Sequence, residues 1–181
     1  MSSVVFLRAI NVGGANLCKP AQLAKQLKKF DVVNIGAVGT FVVRGNINES
    51  ALRKAFAVEL ARSFNIKCEI MIAPGNSLVK LCAKNPFGRR LNDPQITRFV
   101  SVLHKPLPSS VVTRHSSLSL PSAKDWLVKI ITIDGQFVLG VYKREMKAIS
   151  NLYKLEKNLG VPATTRSWNT IQKIVDVLKG D

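Results

Sequence analysis

Val32-Val33-Asn34-Ile35-Gly36-Ala37-Val38-Gly39-Thr40-Phe41-Val42-Val43 reads as two strands around a glycine-bearing turn. Both runs are rich in β-branched and apolar residues, and the glycines between them allow the chain to reverse. A helix is predicted on either side. Upstream, Pro20 suits a first helical turn, and Leu23, Leu27 and Phe30 then share one face while Lys25, Lys28 and Lys29 face solvent. Downstream, Asn48 can cap a helix in which Leu52, Phe56, Leu60 and Phe64 recur every four residues. Outside the helices lie two further strands. One is the apolar run Val4-Val5-Phe6-Leu7. In the other, Cys68, Ile70 and Ile72 alternate with Glu69 and Met71 before Pro74-Gly75. The order over residues 1–75 is therefore β-α-β-β-α-β, that of a ferredoxin-like lobe with two helices on one face of an antiparallel sheet.

Residues 76–181 repeat the plan in part, as a second and less regular α+β lobe. Asn76 can cap a short helix that Asn85-Pro86 stops, and Phe99 to Leu103 reads as a strand. Segment 108–122 holds six serines and two prolines and reads as a loop or a poorly formed element. Leu127 to Ile133 and Gln136 to Tyr142 flank Asp134-Gly135, the preferred pair for a type I′ hairpin turn. A helix over Ala148 to Leu159 ends at Gly160, with Pro162 beyond. The last helix begins near Trp168 and places Ile171, Ile174, Val175 and Leu178 on one side. The lobe boundary is expected near Pro74–Asn76, where no linker-like composition marks it.

At 181 residues and 46% hydrophobic content the chain is long enough and apolar enough for a sizeable core. It carries 27 Lys and Arg against 11 Asp and Glu, a formal charge of +16. Residues 1–75 hold 10 of the basic and 4 of the acidic residues, and residues 76–181 hold 17 and 7. Charge in both halves belongs to folded surface and not to a basic tail. Such a surface draws in a polyanion, an anionic face or a phosphorylated ligand. Cys18, Cys68 and Cys82 are too few and too scattered for a disulfide framework, and none forms a C-x-x-C pair. No apolar run is long enough for a membrane span and no signal segment is visible, so a cytoplasmic setting is expected.

Three motifs occur in one order: Leu7-Arg8-Ala9-Ile10-Asn11-Val12-Gly13-Gly14, then Asn85-Pro86-Phe87, then Thr165-Arg166-Ser167-Trp168-Asn169-Thr170. The pattern resembles the domain-of-unknown-function family numbered 1697, bacterial proteins of about this length. The resemblance covers nearly the whole chain. Its first and last motifs are fairly specific, whereas Asn-Pro-Phe alone is not. It implies an α+β fold and no established activity. There is one departure. The family's strand near residue 40 usually carries a Gln-Ser-Gly-Asn turn, where this chain has Ala37-Val38-Gly39-Thr40. If that turn binds a ligand elsewhere in the family, this protein binds differently or not at all.

The candidate ligand-binding residues fall in the first and last motifs: Arg8, Asn11, Gly13 and Gly14, and Arg166, Trp168, Asn169 and Thr170. Arg8 ends an apolar strand beside a glycine pair, where it reads either as an anion clamp or as a structural arginine paired within the fold. At the last motif Thr165 or Ser167 can cap the helix, whose free N–H groups and positive dipole end form an anion site, and Arg166 adds a planar fork. Trp168 reads either as a stacking platform or as a core residue at helical spacing from Ile171 and Val175. No catalytic residue is assigned and no metal or cofactor is expected. His104 and His115 lack ligand spacing, and no phosphate-binding glycine signature is present. The leading expectation is a basic binding protein for an anionic partner, nucleic acid foremost, by backbone charge and not by the aromatic signature of an RNA-recognition module. The alternative is an enzyme or sensor for a small phosphorylated or carboxylated ligand, held where Arg8 and Gly13-Gly14 would meet Arg166–Thr170. A third reading is a subunit docking on an acidic protein.

Overall fold

The computed structural model describes residues 2–14, 16–88, 93–115, 119–120 and 125–180. Contacts gather the chain into two units, Met1–Lys80 with Gln172–Asp181, and Leu81–Ile171. Each is an α+β lobe.

The first lobe follows the expected order. Strand β1 (Ser3–Leu7) leads to helix α1 (Pro20–Gln26), strands β2 (Val32–Asn34) and β3 (Thr40–Val43), helix α2 (Glu49–Phe64) and strand β4 (Ile70–Pro74). The sheet order is β2-β3-β1-β4, and every pairing is antiparallel. Asn48 caps α2 by accepting the Ala51 N–H at 2.8 Å, and Pro20 opens α1. Val5 and Leu7, Phe41 and Val43, and Ile70 and Ile72 turn one face of the sheet toward Leu23 and Leu27 of α1 and Leu52, Phe56 and Leu60 of α2. The Phe41 and Phe56 rings meet at 5.2 Å.

The other face of this sheet is equally dry. Val4, Phe6, Thr40, Val42, Met71 and Ala73 are all fully buried. This explains why Val4–Leu7 and Phe41–Val43 read as unbroken apolar runs and not as alternating ones. It also places Met71, one of the alternating partners in the strand reading, in the interior.

Helix α3 (Gly75–Ala83) follows β4 without a connecting residue. The contact boundary at Lys80 therefore falls inside a helix, beyond the expected break at 75/76. The closing residues join the first unit, where the Arg44 guanidinium donates to the Val177 carbonyl at 3.4 Å.

The second lobe runs through β5 (Ile96–Leu103), α4 (Ser109–His115), β6 (Ser119–Leu120), β7 (Val128–Asp134), β8 (Phe137–Lys143), α5 (Met146–Leu159), β9 (Ala163–Ser167) and the start of α6 (Trp168–Lys179), which from Gln172 on belongs to the first unit. Its antiparallel sheet has the order β6-β7-β8-β5-β9. Apart from the two-residue edge strand β6, this repeats the strand order of the first lobe. Phe99, Leu103, Val128, Ile130 and Val138 build its core with Ala148, Leu155 and Leu159 of α5.

Three local expectations change. Segment 108–122, read as a loop or a poorly formed element, contains α4 and the two-residue β6, and residues 116–118 and 121–122 lie outside the described residues. Val111 and Val112 pack against the core, and both N–H groups donate to the Pro108 carbonyl, so tertiary packing overrides a serine-rich sequence. Thr164–Ser167, read as the approach to the last helix, is strand β9, paired to β5. The hairpin turn is Gly135-Gln136 and not Asp134-Gly135, because Asp134 pairs with Phe137. Gly135 has φ +60 while Gln136 does not adopt positive φ, which is the II′ and not the I′ pattern.

One close approach locks the centre of this sheet. Gly140 lies opposite Phe99 in the register, and a Cβ added there would meet the Lys129 carbonyl oxygen first and stand 2.6 Å from Phe99 Cζ. The ring is fully buried and packs 6.0 Å from Tyr142, which leaves it little room to withdraw. Gly140→Ala is expected to lower the free energy of unfolding by about 1–3 kcal/mol. Urea unfolding would show a reduced midpoint at unchanged slope; a midpoint equal to that of the parent would mean that both the ring and the backbone of β7 at Lys129 give way.

Candidate functional site

The first candidate motif forms the loop between β1 and α1. Ala9, Asn11, Gly13, Gly14 and Asn16 all have φ between 50 and 77. Such a chain needs side-chain support, and two asparagines supply it. Asn11 Nδ2 donates to the Cys18 carbonyl at 2.9 Å and to the Ala37 carbonyl at 2.8 Å, while Asn11 Oδ1 accepts the Cys18 N–H at 2.9 Å. Asn16 Nδ2 donates to the Ala9 carbonyl at 3.1 Å. The Asn11 amide is thus committed to backbone, and it ties the loop to the turn between β2 and β3. Arg8 is half-buried, and its N–H donates to the Glu69 carbonyl at 3.0 Å. Gly13 and Gly14 are exposed, hold φ of +60 and +77, and a Cβ at either would touch nothing within 4 Å, so the fold constrains them through backbone conformation and not through close packing.

The departure at Ala37-Val38-Gly39-Thr40 is understandable in this frame. Ala37 contributes a carbonyl to Asn11, its side chain and that of Val38 are exposed, and Gly39 accepts the Leu7 N–H at 2.8 Å with φ +71. Only the glycine has a conformation that depends on its type, so apolar residues at 37 and 38 leave the turn intact.

The second motif straddles β9 and α6. Period-2 alternation along β9 puts Thr164 and Arg166 on one face and Thr165 and Ser167 on the other. Arg166 is buried, and its guanidinium donates to Thr164 Oγ1 at 2.8 Å and to the Thr165 carbonyl at 2.9 Å. Burial lowers its pKa to about 10, so it remains charged at neutral pH. Thr165 Oγ1 meets Ser101 Oγ across the strand pair at 2.7 Å. Ser167 caps α6, its hydroxyl accepting the Thr170 N–H at 3.3 Å and meeting Thr170 Oγ1 at 3.0 Å. Trp168 is only 5% exposed and stands edge-on to Phe87 at 4.9 Å. The Asn-Pro-Phe motif and the tryptophan therefore meet in one aromatic contact, and Trp168 serves as an anchor and not as a platform.

Beside this junction lies a cleft of about 340 Å³. The first strand of the lobe, β5, supplies Thr97 and Arg98; the residue after β8 supplies Arg144; α6 contributes its start at Ser167, Trp168 and Asn169. Arg98 lies 6.0 Å from the centroid of the Phe87 ring. Arg144 Nε donates to Thr97 Oγ1 at 3.3 Å, and its N–H donates to the Gln95 carbonyl at 2.9 Å. Asp93 is the acidic residue of the rim, and its carboxylate accepts the Gln95 N–H at 2.8 Å. A second cleft of about 400 Å³ adjoins the first and shares Asp93, Pro94, Ile96 and Arg144 with it. It adds Gln95, Trp126, Lys143 and Glu145. The Lys143 ammonium lies 5.4 Å from the centroid of the Trp126 ring.

Of the residues expected at a site, Trp168 and Asn169 line the first cleft, Arg166 and Thr170 support the same junction, and Arg8, Asn11, Gly13 and Gly14 form one loop of the other lobe. Arg98, Arg144, Lys143 and Trp126 were not expected. What brings them together is the register that sets Ile96 against Lys143, and no local pattern carries it. The internal repeat does: the order β2-β3-β1-β4 applied to the second half puts β8 and β9 on either side of β5.

The first cleft is lined by the side chains of Arg98 and Arg144 and the carboxylate of Asp93. Burial pushes the Cys18 thiol up, as does the neighbouring Cys68, and burial pushes Cys68 up in turn, so neither is an activated thiolate. Among the described residues no group of three or more His, Cys, Asp or Glu gathers as metal ligands, and no helix is long and apolar enough to cross a membrane.

Because Asn11 carries three bonds to backbone, Asn11→Ala is expected to cost about 2 kcal/mol, chiefly by leaving Cys18 N–H and two carbonyls without their partner. Thermal unfolding measures it, and an unchanged transition would remove Asn11 from its structural role.

The structure resembles that of the conserved bacterial protein SP0830 from Streptococcus pneumoniae, with a TM-score of 0.64, 16% sequence identity and 98% of each chain covered. At that identity the likeness establishes the fold. No curated protein sequence matches the chain. A family profile described as "Protein of unknown function (DUF1697)" matches residues 1–124, and the chain belongs to that family.

Proposed function

We propose that the protein binds an anionic partner, nucleic acid foremost, and that the cleft at the start of α6 takes a backbone phosphate. One observation carries the reading: Arg98 and Arg144 line the same cleft as the exposed Ser167 and Asn169 of the helix start. The first N–H groups of a helix lack intrahelical partners and carry the positive end of its dipole, so the two guanidinium groups and the helix act on an anion in the same sense. The formal charge of +16 brings a polyanion to the surface before any specific contact forms.

The mode of binding follows from burial. A ferredoxin-like sheet that recognises RNA does so on an open face, where aromatic residues stack on bases. In the first lobe both faces are covered, with Val4, Phe6, Val42 and Met71 as buried as the helix-packed side. In the second, Val100, Val102, Leu139 and Val141 are buried opposite Phe99 and Val138. Contacts therefore belong to strand ends and helix starts. A second reading, a small phosphorylated ligand, draws on the cleft volume of about 340 Å³, which lies in the usual range for small-molecule sites.

The test is retention of labelled oligonucleotides on filters at stepped salt. Each phosphate contact contributes about one unit to the slope of log K against log salt. Arg98→Ala combined with Arg144→Ala is expected to weaken binding at low salt by at least tenfold and to lower the slope by about 1–2. If the unaltered protein retains no nucleic acid even at the lowest salt, the nucleic-acid reading fails. Competition by inorganic phosphate or a nucleoside monophosphate then decides whether the small-ligand reading survives.

A further inference from the structure

We propose that the second cleft seats an unpaired base against Trp126, so that the partner is single-stranded nucleic acid and not duplex. The proposal rests on reading the Arg98–Arg144 cleft as a phosphate site. The two clefts adjoin, sharing Arg144, Pro94, Ile96 and the carboxylate-bearing Asp93 as lining. A ligand with a phosphate in the first extends naturally into the second. There it meets a different chemistry: a half-buried indole, a lysine over its ring, and the Gln95 amide.

That combination suits a nucleobase. An aromatic platform beside a basic groove is how sequence-tolerant proteins hold single strands. At present the Lys143 ammonium lies over the indole, a contact that is weak at an exposed site. Stacking of a base on the same ring is the stronger interaction, so an incoming base displaces the ammonium. The freed lysine then neutralises a phosphate next to the one at Arg144. Gln95 and Glu145 offer hydrogen-bonding groups at the base edge, too few to read sequence closely. A duplex keeps its bases stacked inward and must unpair one to reach the indole, so it uses only the phosphate half of the site.

Two tryptophans make the test direct. Trp168 borders the first cleft at 5% exposure and Trp126 is half-buried in the second, so the part of an oligonucleotide-induced quench that is lost in Trp126→Ala is the part that Trp126 reports. Fluorescence anisotropy with labelled twelve-nucleotide oligothymidine and a duplex of equal length would be measured on the unaltered protein, Trp126→Ala, Trp126→Phe and the Arg98→Ala, Arg144→Ala pair. Oligothymidine is expected to quench the fluorescence of the unaltered protein and to bind more tightly than duplex. Trp126→Ala is expected to weaken single-strand binding about tenfold with duplex affinity and salt slope unchanged, and Trp126→Phe to restore most of it. The arginine pair is expected to weaken both ligands alike. If Trp126→Ala leaves the single-strand preference intact, or oligothymidine binds without quenching, the base-seating proposal is overturned while the phosphate reading stands. If neither probe binds the unaltered protein, both fall.

Discussion

Two antiparallel sheets whose central strands have no wet face impose the main constraint on this protein. Antiparallel sheets often show solvent one side, and their strands then alternate in polarity. Here Val4 to Leu7 are all buried, as are Thr40 to Val43 and Val100 to Leu103. With the strand interiors closed on both sides, polar chemistry is displaced to the places where strands end and helices begin. The Asn11 loop lies past the end of β1. The arginines lie near the first residue of β5 and just after the last of β8. The serine cap lies where β9 becomes α6.

The same constraint governs how legible the fold was from its residues. Helices with marked ends were readable: Pro20 opens α1, Asn48 caps α2, and Gly160 closes α5 with φ +66. The β-α-β-β-α-β order of the first lobe was readable because each strand is a compact apolar run between turn residues. Strand β9 was not, because Ala163–Ser167 holds no apolar side chain beyond one alanine and depends on pairing with β5 to exist. Helix α4 was hidden for a similar reason, since two valines packing on the core outweigh its serines. The hairpin was found, but its turn lay one residue on, because the Asp134–Phe137 pair extends the ladder past the point where Asp-Gly suggests a stop.

The candidate site was legible only at its edge. The last motif drew notice for its concentration of functional groups, and each of these turns out to brace the junction: Arg166 holds Thr164, Ser167 caps, and Trp168 packs on Phe87. Ser167, Trp168 and Asn169 of that motif also line the cleft, and the arginines that join them there are common residues in unremarked positions. Arg98 is one arginine in a strand and Arg144 one after a strand. Their significance is a matter of register, which depends on pairing between segments far apart in the chain. Two of the motifs that carry the family resemblance meet in a single ring contact, Phe87 against Trp168.

The division of the chain into units has a consequence for biosynthesis. Residues 172–181 belong with residues 1–80, while the whole of the second unit lies between them in sequence. A ribosome adding residues at a pace of about 5–20 per second releases the β1–β4 segment long before the end of α6. The first lobe to leave the ribosome is therefore still incomplete when the second is already fully synthesised. During that interval Arg44 has yet to meet the Val177 carbonyl, and the surface awaiting the last helix is exposed to water or to a chaperone.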